Sequence, residues 1–174
     1  MSTTAPPSAD VLPPIPADLG ILVRRRIEAE IIKPIYDILE RELGEERAGA
    51  IIDEAVTAAA VRAAGEMAAR EPAGGTLQGF IAIQPLWTRD GALEVEVRKQ
   101  DARRFDFDVT RCRYAEMYRA LGLGKIGHLL SCNRDAAFIA GFAPEVKFSR
   151  TQTIMQGAPH CDFRYGTDTP PATP

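Results

Sequence analysis

Several things are scarce in this chain of 174 residues, and each scarcity removes a class of function. It has three cysteines, Cys112, Cys132 and Cys161, an odd number without a C-x-x-C pair, so neither a disulfide framework nor a zinc ribbon is expected. It has two histidines, His128 and His160, too few for a histidine-rich metal centre. The net charge is only −3, which gives no reason to expect nucleic-acid binding. The one basic run, Arg24–Arg26, lies beside Glu28 and Glu30 and reads as a solvated helix face. No apolar run reaches membrane-spanning length, and residues 1–20 lack the apolar segment of a secretory signal. No membrane association is therefore expected, and free thiols fit a reducing cytoplasm.

What is present is an ordinary globular composition, 45% apolar and 26% charged, enough for one domain. Five prolines mark residues 1–18 as a flexible arm, and residues 167–174 read as a disordered tail. Between them, residues 19–166 form the expected domain. Ile27, Ile31, Ile35, Ile38 and Leu39 recur at helical spacing and predict a first helix over 19–43, kinked or divided at Pro34. A second follows over 45–70, with Ile51, Ile52, Ala55, Val56, Ala59, Ala63 and Met67 on one face; its alanines allow close approach of a neighbour. Residues 76–86 are either a short helix or irregular.

The period then changes to two. Leu93, Val95 and Val97 alternate with charged residues, and Phe105, Phe107 and Val109 alternate with Asp106 and Asp108, which predicts an antiparallel hairpin with both aspartates facing outward. Short helices follow, one with Tyr114, Met117, Tyr118 and Leu121 on a face and one apolar nearly all round before Pro144. The chain closes with strands over 145–156 and 160–166 joined at Gly157–Pro159. The class is α+β: long N-terminal helices on an antiparallel sheet of about four strands, with short helices between two hairpins.

The closing hairpin carries most of the candidate chemistry. Parity sets Arg150 and Gln152 in line with Val146, Phe148 and Ile154, and a guanidinium on an apolar face requires an anionic partner, either a ligand carboxylate or a core-edge aspartate. Cys161 shares a face with Phe163 and Tyr165, while His160, Asp162 and Arg164 point the other way. Cys161 is a candidate nucleophile if a cation lowers its pKa, and otherwise a buried structural thiol. Cys132, Asn133 and Asp135 stand at the start of the apolar helix, where Asn133 or Ser131 caps it and the helix terminus favours a thiolate. A site built from Cys112, Cys132, Cys161 and His160 would need a turn at 160–161 and matches no zinc spacing, so neither metal nor cofactor is expected.

The segments "CRYAEMYRALG", "LLSCNRDAAFIAGF", "RTQTIMQGA" and "HCDFRY", in this order within residues 108–165, closely resemble the L-2-amino-thiazoline-4-carboxylic acid hydrolase family, and "RRRIEAEIIKPIYDILERELG" is similar to its first helix. At fold level the chain also resembles small-molecule-binding domains of the vinyl-reductase type. The family resemblance implies a hydrolase acting on a carbon–nitrogen bond of a small cyclic amidine, with N-carbamoyl-L-cysteine as the product of the family's name reaction. On that reading Cys161, with His160, Arg150 or Arg164 as the nearby base or cation, or Cys132 attacks directly, or Asp135 or Asp162 activates a water. Arg150 or Arg164, with Gln152, Asn133 and Cys112 around them, holds the substrate carboxylate. A ligand-binding module without catalysis is the alternative. The partner is a small molecule, and the exposed helix faces allow self-association.

Overall fold

A computed structural model describes residues 19–168; the expected arm over 1–18, and the expected tail over 167–174 apart from its first two residues, lie outside the described residues. Helix α1 (Ile21–Leu43) runs unbroken through Pro34, and α2 (Glu45–Ala68) follows after Gly44. A capped turn of helix, α3 (Leu77–Ile83), held by Thr76 accepting from the Gly79 amide, leads into the single turn α4 (Pro85–Thr88). Strands β1 (Leu93–Gln100) and β2 (Arg104–Cys112) form the first hairpin. Helix α5 (Arg113–Ala120), a π-helical turn at His128–Cys132 and α6 (Asn133–Phe142) come next. The short β3 (Lys147–Ser149) and β4 (Cys161–Gly166) complete an antiparallel sheet of order β1-β2-β4-β3. Among the described residues, no helix is long and apolar enough to cross a membrane.

The fold class matches the sequence reading, but several details differ. The long strand expected over 145–156 pairs with β4 only through Lys147–Ser149. Beyond it the chain runs without ladder bonds to a 3-10 turn at Ile154–Gln156, ended by Gly157 at φ 98°. Asp162 holds this connection by accepting hydrogen bonds from the Thr151 and Gln152 amides, both at 2.9 Å. Asp106 and Asp108 do lie on the outer face of the sheet, but they are buried there. Arg98 and Arg164 close over Asp108 and Arg104 over Asp106. Burial works against charge on Asp108, yet the two guanidiniums outweigh it and hold its carboxyl below the usual range.

The largest difference is the orientation of α1. Its inward side carries Ala29 and Tyr36, both buried, whereas Ile27, Ile31, Ile35 and Ile38 are between 46% and 64% exposed. The inner face of the sheet, with Phe105, Phe107, Val109 and Phe163, packs on α3 and α6, and α1, α2 and α5 enclose a second apolar cluster. The β1 edge is irregular, with register shifts at Glu94/Val95 and Val97/Lys99, and Val97 is exposed.

Helices α2 and α6 approach closely at Gly141, where a Cβ would stand 2.6 Å from the Val61 carbonyl oxygen and 3.0 Å from its Cα. Helical backbone cannot yield there without moving the whole of α2. Gly141→Ala is therefore expected to cost about 1–3 kcal/mol in denaturant unfolding. A change below about 0.5 kcal/mol, the size of an ordinary surface substitution, would mean that the helices part freely.

Candidate functional site

Between the helices and the inner face of the sheet lies a cavity of about 620 Å³, within the size range of small-molecule sites. Much of its wall is apolar. Trp87 and Phe138 meet edge to face at 5.0 Å, Phe163 and Tyr165 come from β4, and Ala55, Ala59, Ala63 and Met67 come from α2. These α2 residues belong to the face that the sequence marked as apolar; the alanines line the cavity, and Met67 does so while also packing on the core beneath the sheet. Five arginines and three carboxylates also line it, so the cavity is positive inside a chain of net charge −3.

At one side of the cavity stands the pair Arg150–Asp135. The guanidinium donates from Nη1 to Asp135 Oδ2 at 2.5 Å and from Nη2 to the Cys132 carbonyl at 3.0 Å, and it lies 5.1 Å from the Phe163 ring centroid. The parity argument for Arg150 holds, and its anionic partner is Asp135. Burial pushes the Asp135 carboxyl up to about 6 against the pull of Arg150. Burial also opposes charge on Arg150, but the carboxylate prevails and its pKa is raised.

The three thiols surround this pair, and none is activated. Burial pushes Cys112 up to about 11, and burial together with Asp135 pushes Cys132 up to about 12. Cys161 is also raised, first by burial. Two of the sulfurs serve the backbone: Cys112 Sγ accepts from the Ala115 amide at 3.4 Å, capping α5, and Cys161 Sγ accepts from the Ile154 amide at 3.1 Å. Helix α6 has no free N-terminus to depress a thiol pKa, because the π-helical turn runs directly into it. Neither Asn133 nor Ser131 caps it; Asn133 donates to Asp53 Oδ1 of α2 at 2.8 Å.

Other expected residues lie away from the cavity. Arg164 reaches the outer face, donating to Asp108 Oδ1 at 2.7 Å and the Phe107 carbonyl at 2.9 Å. Gln152 and His160 pair with each other, Nε2 to Nε2 at 3.0 Å, and neither lines the cavity. Among the described residues, no group of three or more histidine, cysteine or acidic side chains is placed to hold a metal ion.

A second charged cluster was not found from the sequence. Glu28 of α1 accepts from Arg25, and pairs with Arg134 at 3.3 Å and Arg24 at 3.4 Å. Arg25 and Arg134 are each only 16% exposed. Three guanidiniums thus share one carboxylate at the cavity wall. Burial and the neighbouring Arg25 lower the Arg134 pKa, which Glu28 only partly offsets. The missed signal was helical: residues 25, 28, 29, 32 and 36 fall on one side of α1, opposite the isoleucine stripe. The arrangement offers an anion site of surplus positive charge at Arg25 and Arg134, and a half-buried carboxylate with a pKa raised to about 6 at Asp135.

The family model for L-2-amino-thiazoline-4-carboxylic acid hydrolase matches residues 24–165, nearly the whole described chain. No curated protein sequence matches significantly. Among solved structures, the phenol-responsive sensory domain of the transcription activator PoxR, crystallised with phenol, is similar at a TM-score of 0.52 and 16% identity, covering 84% of this chain and 75% of that one. This likeness is one of fold.

Proposed function

Because the chain belongs to the L-2-amino-thiazoline-4-carboxylic acid hydrolase family, we propose that it opens a small cyclic amidine bearing a carboxylate, 2-amino-thiazoline-4-carboxylate or a near relative, inside the cavity. The observation that carries this reading is the division of charge along the cavity wall. The surplus guanidinium charge of Arg25 and Arg134 takes the substrate carboxylate. Asp135, ionised at neutral pH with a pKa of about 6, serves as the general base.

In this scheme a water attacks the amidine carbon while Asp135 takes its proton. A carbamoyl product keeps both nitrogens of the amidine, so the ring opens at the carbon–sulfur bond and not at carbon–nitrogen. As the carbonyl forms, the remaining proton of the attacking water passes to the amidine nitrogen, the electron pair of the carbon–sulfur bond leaves with sulfur, and sulfur takes the proton held by Asp135. Arg150 stays charged throughout and fixes the carboxylate in place. The protonated thiols shape the pocket and do not attack, since a thiolate at Cys132 or Cys112 would have to form far above neutral pH.

The test is a turnover assay following N-carbamoylcysteine, with Cys112→Ala, Cys132→Ala and Cys161→Ala beside the wild type. Each variant is expected to keep its rate within about ten-fold, the effect of a neighbour that only packs. Turnover abolished in one variant that still binds substrate would make that thiol the nucleophile. The aromatic wall of Trp87, Phe138 and Phe163 favours a second reading, a ligand-binding module for an apolar ring, in line with the fold shared with the PoxR sensory domain. Saturable binding without turnover would support it.

A further inference from the structure

Helix α1 is apolar on two sides, and the described residues cover only one of them. Val23, Ile27, Ile31, Ile35 and Ile38 form a continuous stripe opposite Ala29 and Tyr36, and every member is at least 46% exposed. A surface helix normally turns charge outward, and α1 has charge to offer. Its Arg26–Glu30 and Lys33–Asp37 pairs, however, occupy the flank between the two apolar sides. Contiguous exposed apolar surface of this kind marks an interaction site.

We propose that α1 is the two-fold interface of a homodimer, its outward stripe packed antiparallel on the same stripe of a second copy. The sequence of the stripe is self-complementary about a point near Lys33. With the dyad there, Ile31 lies opposite Ile35 and Ile27 opposite Ile38, and the exposed Pro34 ring sits at the centre. Charge follows the same symmetry. Arg24 and Glu42 are separated by about five turns of 3.6 residues, so they lie on the same edge of the stripe. A perpendicular two-fold axis brings the Arg24 of each copy to the Glu42 of the other; a parallel pairing would set like charges together. Both side chains are exposed, and their present partners, Glu28 and Arg41, lie within their own helix. The inward side of α1 meanwhile supplies Arg25 and Glu28 to the cavity, so dimerisation fixes one wall of the ligand site.

The experiment is sedimentation and light scattering of the full chain over a dilution series. The wild type is expected to weigh twice the 19.0 kDa chain. Ile31→Glu is expected to return a monomer with unchanged circular dichroism, because the side chain is 64% exposed and outside the folded core. Arg24→Glu or Glu42→Arg alone is expected to raise the dimer dissociation constant by at least about ten-fold through like-charge contacts, and the double variant to restore it. A wild type that stays monomeric throughout, or a dimer that survives Ile31→Glu, would overturn the proposal. A charge swap that fails to restore association would overturn the antiparallel arrangement.

Discussion

Asp135→Asn is expected to lower kcat by about 10²–10⁴, the range for losing a general base, while substrate still binds. The amide preserves shape and a hydrogen-bonding oxygen for Arg150 but cannot take a proton. The pH dependence sharpens the test. The base works ionised, so kcat/KM of the wild type should climb through pH 6 and level off above it. Stability should move the other way. Folding raises the Asp135 pKa from an ordinary 3.8 to about 6, so between these values the native state binds more protons than the unfolded one. This group's contribution therefore declines as pH rises through that window. Both dependences should vanish in Asp135→Asn. An acid limb that survives the substitution would place the base elsewhere.

Arg150→Met is the second large effect, and it falls on the fold as well as on activity. The guanidinium is 11% exposed and is the partner that allows Asp135 to remain charged among Phe163, Cys132 and Cys161. Removing it leaves a carboxylate without its counter-charge, a change that costs about 3–5 kcal/mol where such pairs are broken. The loss should be largest near neutral pH. It should shrink on acidification, because a protonated Asp135 no longer needs a cation. Adding Asp135→Asn should recover much of the stability, since the unpaired charge is then gone. Denaturant titrations at pH 5 and pH 7.5 would show this; equal losses at both would mean that Arg150 stabilises by packing on its aromatic neighbours alone.

How far the sequence carried the reading differs from element to element. Alternation along β2 and β4 placed Phe105, Phe107, Val109, Cys161 and Phe163 on the inner face, because a strand has only two sides and a hydrophobic one must go inward. A helix has more freedom, and α1 misled for that reason. Its strongest apolar repeat points outward, while the inward side mixes Arg25 and Glu28 with Ala29, Ile32 and Tyr36. No periodicity argument distinguishes a core stripe from an interface stripe when both are isoleucine. The same ambiguity hid Arg25, which reads as one member of a basic run until the face of the helix is known. Arg150 was legible because strand parity forced it among apolar residues. Arg164 followed its own parity to the outer face and so left the cavity. The environment of Asp135 depends on the π-helical turn, which shifts the phase of α6 and has no local sequence marker.

The edges of the sheet bear on how this protein can fail. A regular, open strand is a template on which another chain can lay itself, the first step toward fibrils. Neither border of this sheet offers one. β3 provides three residues, and β1, though eight residues long, is broken by two register shifts and studded with Glu94, Glu96, Arg98 and Lys99. Stickiness is thus kept off the backbone and concentrated on a helix, whose hydrogen bonds are already spent within itself. A destabilised variant should consequently clump through loose side-chain contacts that dissolve on dilution, well before it nucleates ordered, irreversible deposits.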